Sequence, residues 1–197
     1  MHTDRKLNRL QGYDYSRNAL YFVTSCVHDR VCCFGEIKDG QMFPNEYGQI
    51  AEQQWQWLEQ QYPYIVLHSF VVMPNHIHGI IEIDDRMAVR TGRDLSVREN
   101  GDLSVRDQSI KIKSLSELMG AYKTTTSKQI HLLDVDRLAL GRDRSPFECR
   151  DRSRPVPTFK WQRSFHDHII RNEGSYLRIS NYILNNPSNW KEDKFYT

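Results

Sequence analysis

Little in this sequence points to a membrane or to an oxidising compartment. No run of about 18 apolar residues occurs, so no membrane span is expected. The first sixteen residues, MHTDRKLNRLQGYDYS, contain no apolar stretch, so no signal peptide is expected either. Cysteine is scarce: Cys26, Cys32, Cys33 and Cys149, with no C-x-x-C pair. Adjacent Cys32 and Cys33 make a poor disulfide framework, and the four read as reduced thiols of a cytoplasmic protein. Charge of one sign is also lacking. A net charge of +2 neither demands nor excludes a nucleic-acid partner, so any such argument must be local. Apolar residues make up only 39% of 197 residues, which predicts one domain with a core and some chain that does not pack.

What is present is an alternation of strand-like and helix-like segments. Ala19 to Val27 is β-branched and aromatic, hence a strand. Cys32 to Phe43, with its Asp39-Gly40, reads as a loop or short hairpin. Ile50, Ala51, Trp55 and Leu58 recur at helical spacing within Asn45 to Gln60. Ile65 to Met73 and His76 to Ile83 are strands joined by the turn Pro74-Asn75. Ser114 and Glu117 form a capping box that opens a helix to Leu133. Thr158 to Ile170 reads as a strand running into a turn, and a last helix from Asn172-Glu173 should stop near Asn186, before Pro187. The order strand, helix, strand, strand, helix, strand, helix is α+β. It predicts a ferredoxin-like (RRM-like) antiparallel sheet with helices on one face and a ligand face left open, plus a C-terminal helix.

Two tracts interrupt this order. DLSVR occurs at 94–98 and 102–106, and RDRS at 142–145 and 150–153, each pair offset by eight residues. Two copies are too few for a solenoid. The regions 86–108 and 137–157 read as flexible insertions carrying short duplications in a single domain spanning 1–197.

The stretch VVMPNHIHGII, from Val71 to Ile81, carries the chemistry. Alternate residues of a strand share a face, so His76 and His78 project together while Ile77 anchors the strand in the core. Two adjacent imidazoles are half of a divalent-metal site. In the last helix Tyr182 and Asn186, four apart, share one face. Asn186 can offer a carbonyl oxygen to a hard cation, and Tyr182 a phenol beside it. A metal that binds a phosphodiester oxygen favours in-line attack, and a tyrosine nucleophile conserves the bond energy for rejoining. Each element also has a plain explanation: surface histidines, a core aromatic, a C-terminal cap. A second H-x-H, His166-Asp167-His168, has a charged middle residue and reads as structural or DNA-contacting.

Taken together, RLQGYDYS (9–16), YFVTSCVHDR (21–30), VVMPNHIHGIIEI (71–83), WQRSFHDHIIRNE (161–173) and YILNNP (182–187) resemble the single-tyrosine HUH transposases of the REP-associated type. The resemblance covers most of the chain outside the two duplicated tracts, which are not part of the family core. It implies a Mg²⁺ or Mn²⁺ cofactor, with His76, His78 and Asn186 as ligands and Tyr182 as nucleophile. It implies cleavage and rejoining of single-stranded DNA near hairpins through a 5′-phosphotyrosine, in the cytoplasm and on the nucleoid when DNA is bound. Monomer and homodimer both remain open, and no general base is evident. Lys123, Lys128, Arg163, Arg9 and Arg17 are candidate phosphate contacts. Two other readings stay open: an RRM-like binder without catalysis, and a metal-dependent hydrolase that activates water.

Overall fold

The computed structural model describes residues 10–87, 110–140 and 159–196. Its frame is a four-stranded antiparallel sheet of β1 (Ala19–Cys26), β4 (Ile65–Met73), β5 (His76–Ile83) and β6 (His166–Ile170), in the order β4-β5-β1-β6. β2 (Gly35–Lys38) and β3 (Gln41–Pro44) form a separate hairpin. Its turn, Asp39-Gly40, has φ of 49° and 73°, the left-handed pair that a tight two-residue hairpin requires.

Three helices pack on the sheet. α1 (Glu46–Gln61) starts at Asn45, whose Oδ1 accepts from Tyr47 and Gly48 N–H at 3.0 and 3.1 Å. α2 (Leu115–Ala139) opens with the expected Ser114–Glu117 capping box. It runs six residues beyond the predicted end, through Arg137, which pairs with Glu46 and lies over the Tyr47 ring. Residues 137–139 are therefore helical rather than insertion. The tracts at 88–109 and 141–158 lie outside the described residues, as does Arg9. α3 (Glu173–Asn185) is followed by a 3₁₀ helix, Pro187–Glu192, so Pro187 ends the α-helix where expected.

Strand alternation sorts the side chains into two layers. Tyr21, Val23, Ile77 and Ile81 join Trp55 and Leu58 of α1 and Leu118, Met119 and Tyr122 of α2 in the main core. Leu20, Phe22 and Ile80 turn the other way and meet Tyr176, Ile179 and Ile183 of α3. The predicted open face is thus a correction: α3 and the chain after it cover it, because Ile179 and Ile183 need an apolar surface. A register shift between Leu67 and Phe70 inserts one extra residue in β4. It keeps Phe70 stacked on Trp55 at 4.6 Å on one face while His68 points to the other, toward Tyr176.

The predicted strand from Thr158 is shorter than expected. Only His166–Ile170 joins the sheet, and Trp161 makes an isolated bridge to Val27. Cys26 and Cys33 are buried free thiols. Among the described residues no helix is long and apolar enough to cross a membrane.

Candidate metal and tyrosine site

His76 and His78 lie on β5, paired with Cys26 and Thr24 of β1. The two rings are 0% and 1% exposed, and their Nε2 atoms are 3.0 Å apart. Their outer nitrogens are held. The Asn75 amide donates to the carbonyls of Arg30 (3.1 Å) and Phe195 (2.8 Å), which turns its Oδ1 toward His76 Nδ1 at 2.8 Å. His76 Nδ1 must then donate, which leaves a lone pair on Nε2. His78 Nδ1 is 2.7 Å from Thr24 Oγ1, a hydroxyl that can serve either tautomer. Burial, then the nearby Lys194 and Arg30 charges, push the His76 pKa down to about 3. Burial and His76 also hold His78 well below the usual imidazole range. Both rings are neutral at pH 7, the form that ligates metals.

α3 brings Tyr182 to this pair within the same chain. Its phenol oxygen is 3.2 Å from His78 Nε2 and donates to Asp193 Oδ2 at 3.2 Å. Tyr182 is 43% exposed, so the site opens to solvent at this residue. Burial and the Asp193 carboxylate push its pKa up to about 12. The chain then folds back. Phe195 covers both imidazoles, with ring centroids 4.6 Å from His76 and 5.9 Å from His78. Arg30 Nη1 donates to the Lys194 carbonyl at 3.1 Å and fixes that return.

His76, His78 and Asp193 could hold a metal ion: one ligand atom from each lies within 4.8 Å of the others. Asn186 is adjacent, 2% exposed, and its Nδ2 donates to Asp193 Oδ2 at 2.9 Å. Its Oδ1 is buried without a hydrogen-bond partner, which is costly for a carbonyl and suits an oxygen meant for a cation. The donor set, two imidazoles and oxygen ligands, fits a divalent ion of the Mg²⁺–Mn²⁺ class or zinc.

A Haemophilus influenzae protein described as uncharacterized is 33% identical over 193 residues, covering 98% of this chain and 93% of the relative. The chain belongs to the family of that protein. No family model matches the sequence. Among solved structures, a REP-associated tyrosine transposase bound to a REP hairpin is similar in fold. Its TM-score is 0.50 at 16% identity, over 94% of this chain and 76% of that one. A Deinococcus radiodurans structure described as a putative transposase gives a TM-score of 0.39 at 12% identity, over 90% and 95% of the two chains.

The basic residues expected at DNA are dispersed in this family member. Lys123 and Lys128 lie on α2, across the sheet from the imidazoles. Lys123 Nζ donates to the carbonyls of Gln162 (2.8 Å) and Ser164 (3.0 Å), and so ties α2 to the chain before β6. Arg17 is exposed at the opposite end of β1 from Cys26 and His76. Arg163 is exposed and follows Gln162, whose N–H donates to the Cys26 carbonyl, at the His76 end of the sheet. His166 and His168 are exposed on β6, apart from the metal candidates.

Sequence reasoning missed Asp193, Thr24, Asn75 and Phe195. The stretch KEDKFY, residues 191–196, shows no periodicity, so nothing marked Asp193 or Phe195. Thr24 becomes visible only once β1 and β5 are placed in register.

Proposed function

We propose that this protein is a single-tyrosine HUH transposase of the REP-associated type, which cleaves and rejoins single-stranded DNA beside a hairpin. Tyr182 is the nucleophile, and His76, His78 and Asp193 hold a divalent ion with the Asn186 carbonyl beside them. One observation carries this reading: a phenol, two neutral imidazoles and a carboxylate, from β5, α3 and the chain end, meet within hydrogen-bonding distance. The β4-β5-β1-β6 order with α1 and α2 on one face supports a ferredoxin-like domain. The hairpin ligand of the structural neighbour supports the substrate class.

When bound, the ion supplies Lewis-acid polarisation of a phosphodiester oxygen. The remaining work falls to the chain itself. Asp193 Oδ2 accepts the phenolic hydrogen of Tyr182 and is placed to take that proton as the oxygen attacks phosphorus. The Tyr182 oxygen–phosphorus bond forms and the bond from phosphorus to the 3′ oxygen breaks; that oxygen takes a proton from solvent, leaving a 5′-phosphotyrosine and a 3′ hydroxyl. Attack by a 3′ hydroxyl reverses the step and rejoins a strand. Asn75 and Thr24 hold the imidazoles so that Nε2 faces inward. Phe195 excludes water from the two rings.

The test is incubation of the protein with a labelled single-stranded hairpin oligonucleotide and Mn²⁺, followed by a denaturing gel. A slowly migrating adduct is expected in the wild type and is absent in Tyr182→Phe and His76→Ala. Cleavage without an adduct would establish a water-activating hydrolase instead, and a native-gel shift alone would establish a binder.

A further inference from the structure

At the other end of α3 lies a second polar group that the proposed cleavage does not use. His68 on β4 bonds through Nε2 to Glu82 Oε2 of β5 at 2.9 Å, and through Nδ1 to the Tyr176 hydroxyl at 3.2 Å. The Glu82 carboxylate accepts, so Nε2 carries a hydrogen, and Nδ1 shares its bond with the Tyr176 hydroxyl. Carboxylate, imidazole and phenol are thereby linked in one chain of hydrogen bonds. They border a cavity of about 490 Å³ lined also by Leu20, Ile170, Arg171 and Glu173.

We propose that this cavity receives one unpaired base of the bound strand and selects a base with an exocyclic amino group over thymine. The proposal rests on the nucleic-acid reading above and adds a specificity site to it. Three features lead to this ligand. Leu20 and Ile170 beside the Tyr176 ring offer apolar surface to the flat face of a base. Glu82 offers a second oxygen, Oε1, with no hydrogen bond among the described residues, and a carboxylate accepts from amino groups such as cytosine N4. Guanine, cytosine and adenine each carry an exocyclic amino group, whereas thymine has none and offers a carboxylate only a single N3–H flanked by two carbonyl oxygens. Glu82 and Glu173 line the cavity together with Arg171, so two carboxylates stand against one guanidinium and the lining favours a base edge over a phosphate.

Position agrees. The cavity lies on the same sheet face as the imidazoles, separated from them by the apolar cluster of Ile80, Ile170 and Ile183. Tyr176 and Tyr182 are about 9 Å apart along the axis of α3, and His78 and Glu82 about 13 Å apart along β5. That separation is the length of a few nucleotides.

The experiment is an NMR titration of the full-length protein with dGMP, dCMP, dAMP and dTMP, following the side-chain signals of His68 and Tyr176. Saturable shifts are expected with the first three, with dTMP weaker by about tenfold or more. In Glu82→Gln, which keeps an acceptor for His68, the discrimination against dTMP is expected to fall. No shift at these rings, or equal shifts with dTMP, would overturn the proposal. So would discrimination unchanged in Glu82→Gln. Wild-type titration alone is decisive should that variant fold poorly. Adduct formation without nucleotide shifts removes this inference and leaves the nuclease reading intact. Selective shifts without an adduct do the reverse.

Discussion

At Tyr182 two effects oppose each other. Burial and Asp193 raise the phenol pKa to about 12, whereas attack on phosphorus needs the phenolate. A cation held by His76, His78 and Asp193 would oppose that rise, because a positive charge beside the phenol favours its ionised form. The same logic makes Thr24 a positioning residue. Thr24→Val removes the partner of His78 Nδ1 while keeping the side-chain shape, and metal affinity should fall about 10–100-fold in a calorimetric Mn²⁺ titration. Burial of neutral imidazoles also makes stability pH-dependent. The folded pKa of His76 is about 3, against 6.5 in an exposed chain. Between those values the unfolded chain binds a proton that the native state does not, so stability rises with pH across the window. The stabilisation is complete above about pH 6.5 and is lost as pH falls toward 3. Thermal unfolding of the metal-free protein should show Tm falling from pH 6.5 to 5, above the range where ordinary carboxylates titrate.

Elements, rather than residues, were what the sequence displayed. β1, β4, β5, α1 and α3 follow from β-branched runs, helical spacing and caps, and they appear within a few residues of expectation. His76, His78 and Tyr182 were legible as candidates because H-x-H on a strand and Y-x-x-x-N on a helix have fixed facing rules. Asp193 was not legible, since its position depends on a chain reversal secured by the Arg30–Lys194 and Asn75–Phe195 bonds rather than by any local period. The covered sheet face was missed for a related reason: an amphipathic helix reveals that it packs, not on which side. Gly79 shows how tightly β5 is held. A Cβ there would lie inside contact distance of the Trp55 ring, between Trp55 and Phe70. Gly79→Ala should destabilise by about 1–3 kcal/mol in denaturant unfolding, and should weaken metal binding because it displaces the strand that carries both imidazoles.

On the scale of the whole molecule, one face of the sheet carries two polar clusters. Its His76 end meets Tyr182 and the returning chain end, and its Glu82 end meets Tyr176 and the cavity of about 490 Å³. α1 and α2 supply the core behind it. Because the candidate ligands come from β5 and from the chain after α3, an ion bound between them should tie the chain end to the sheet. At a concentration of Mn²⁺ a hundred times its Kd, linkage gives about 2.7 kcal/mol. In a chain of this size that is about 5–10 °C in Tm by scanning calorimetry. Asp193→Asn should abolish most of that increase while leaving the metal-free Tm within a few degrees.

The central claim, that Tyr182 attacks phosphorus, is tested most directly by locating the covalent nucleotide. After reaction with a single-stranded hairpin substrate, the adduct is digested with nuclease and trypsin and read by mass spectrometry. A phosphonucleotide is expected on the peptide ISNYILNNPSNWK, residues 179–191, in which Tyr182 is the sole tyrosine. A modification on any other peptide, or cleaved DNA with every peptide unmodified, would contradict it.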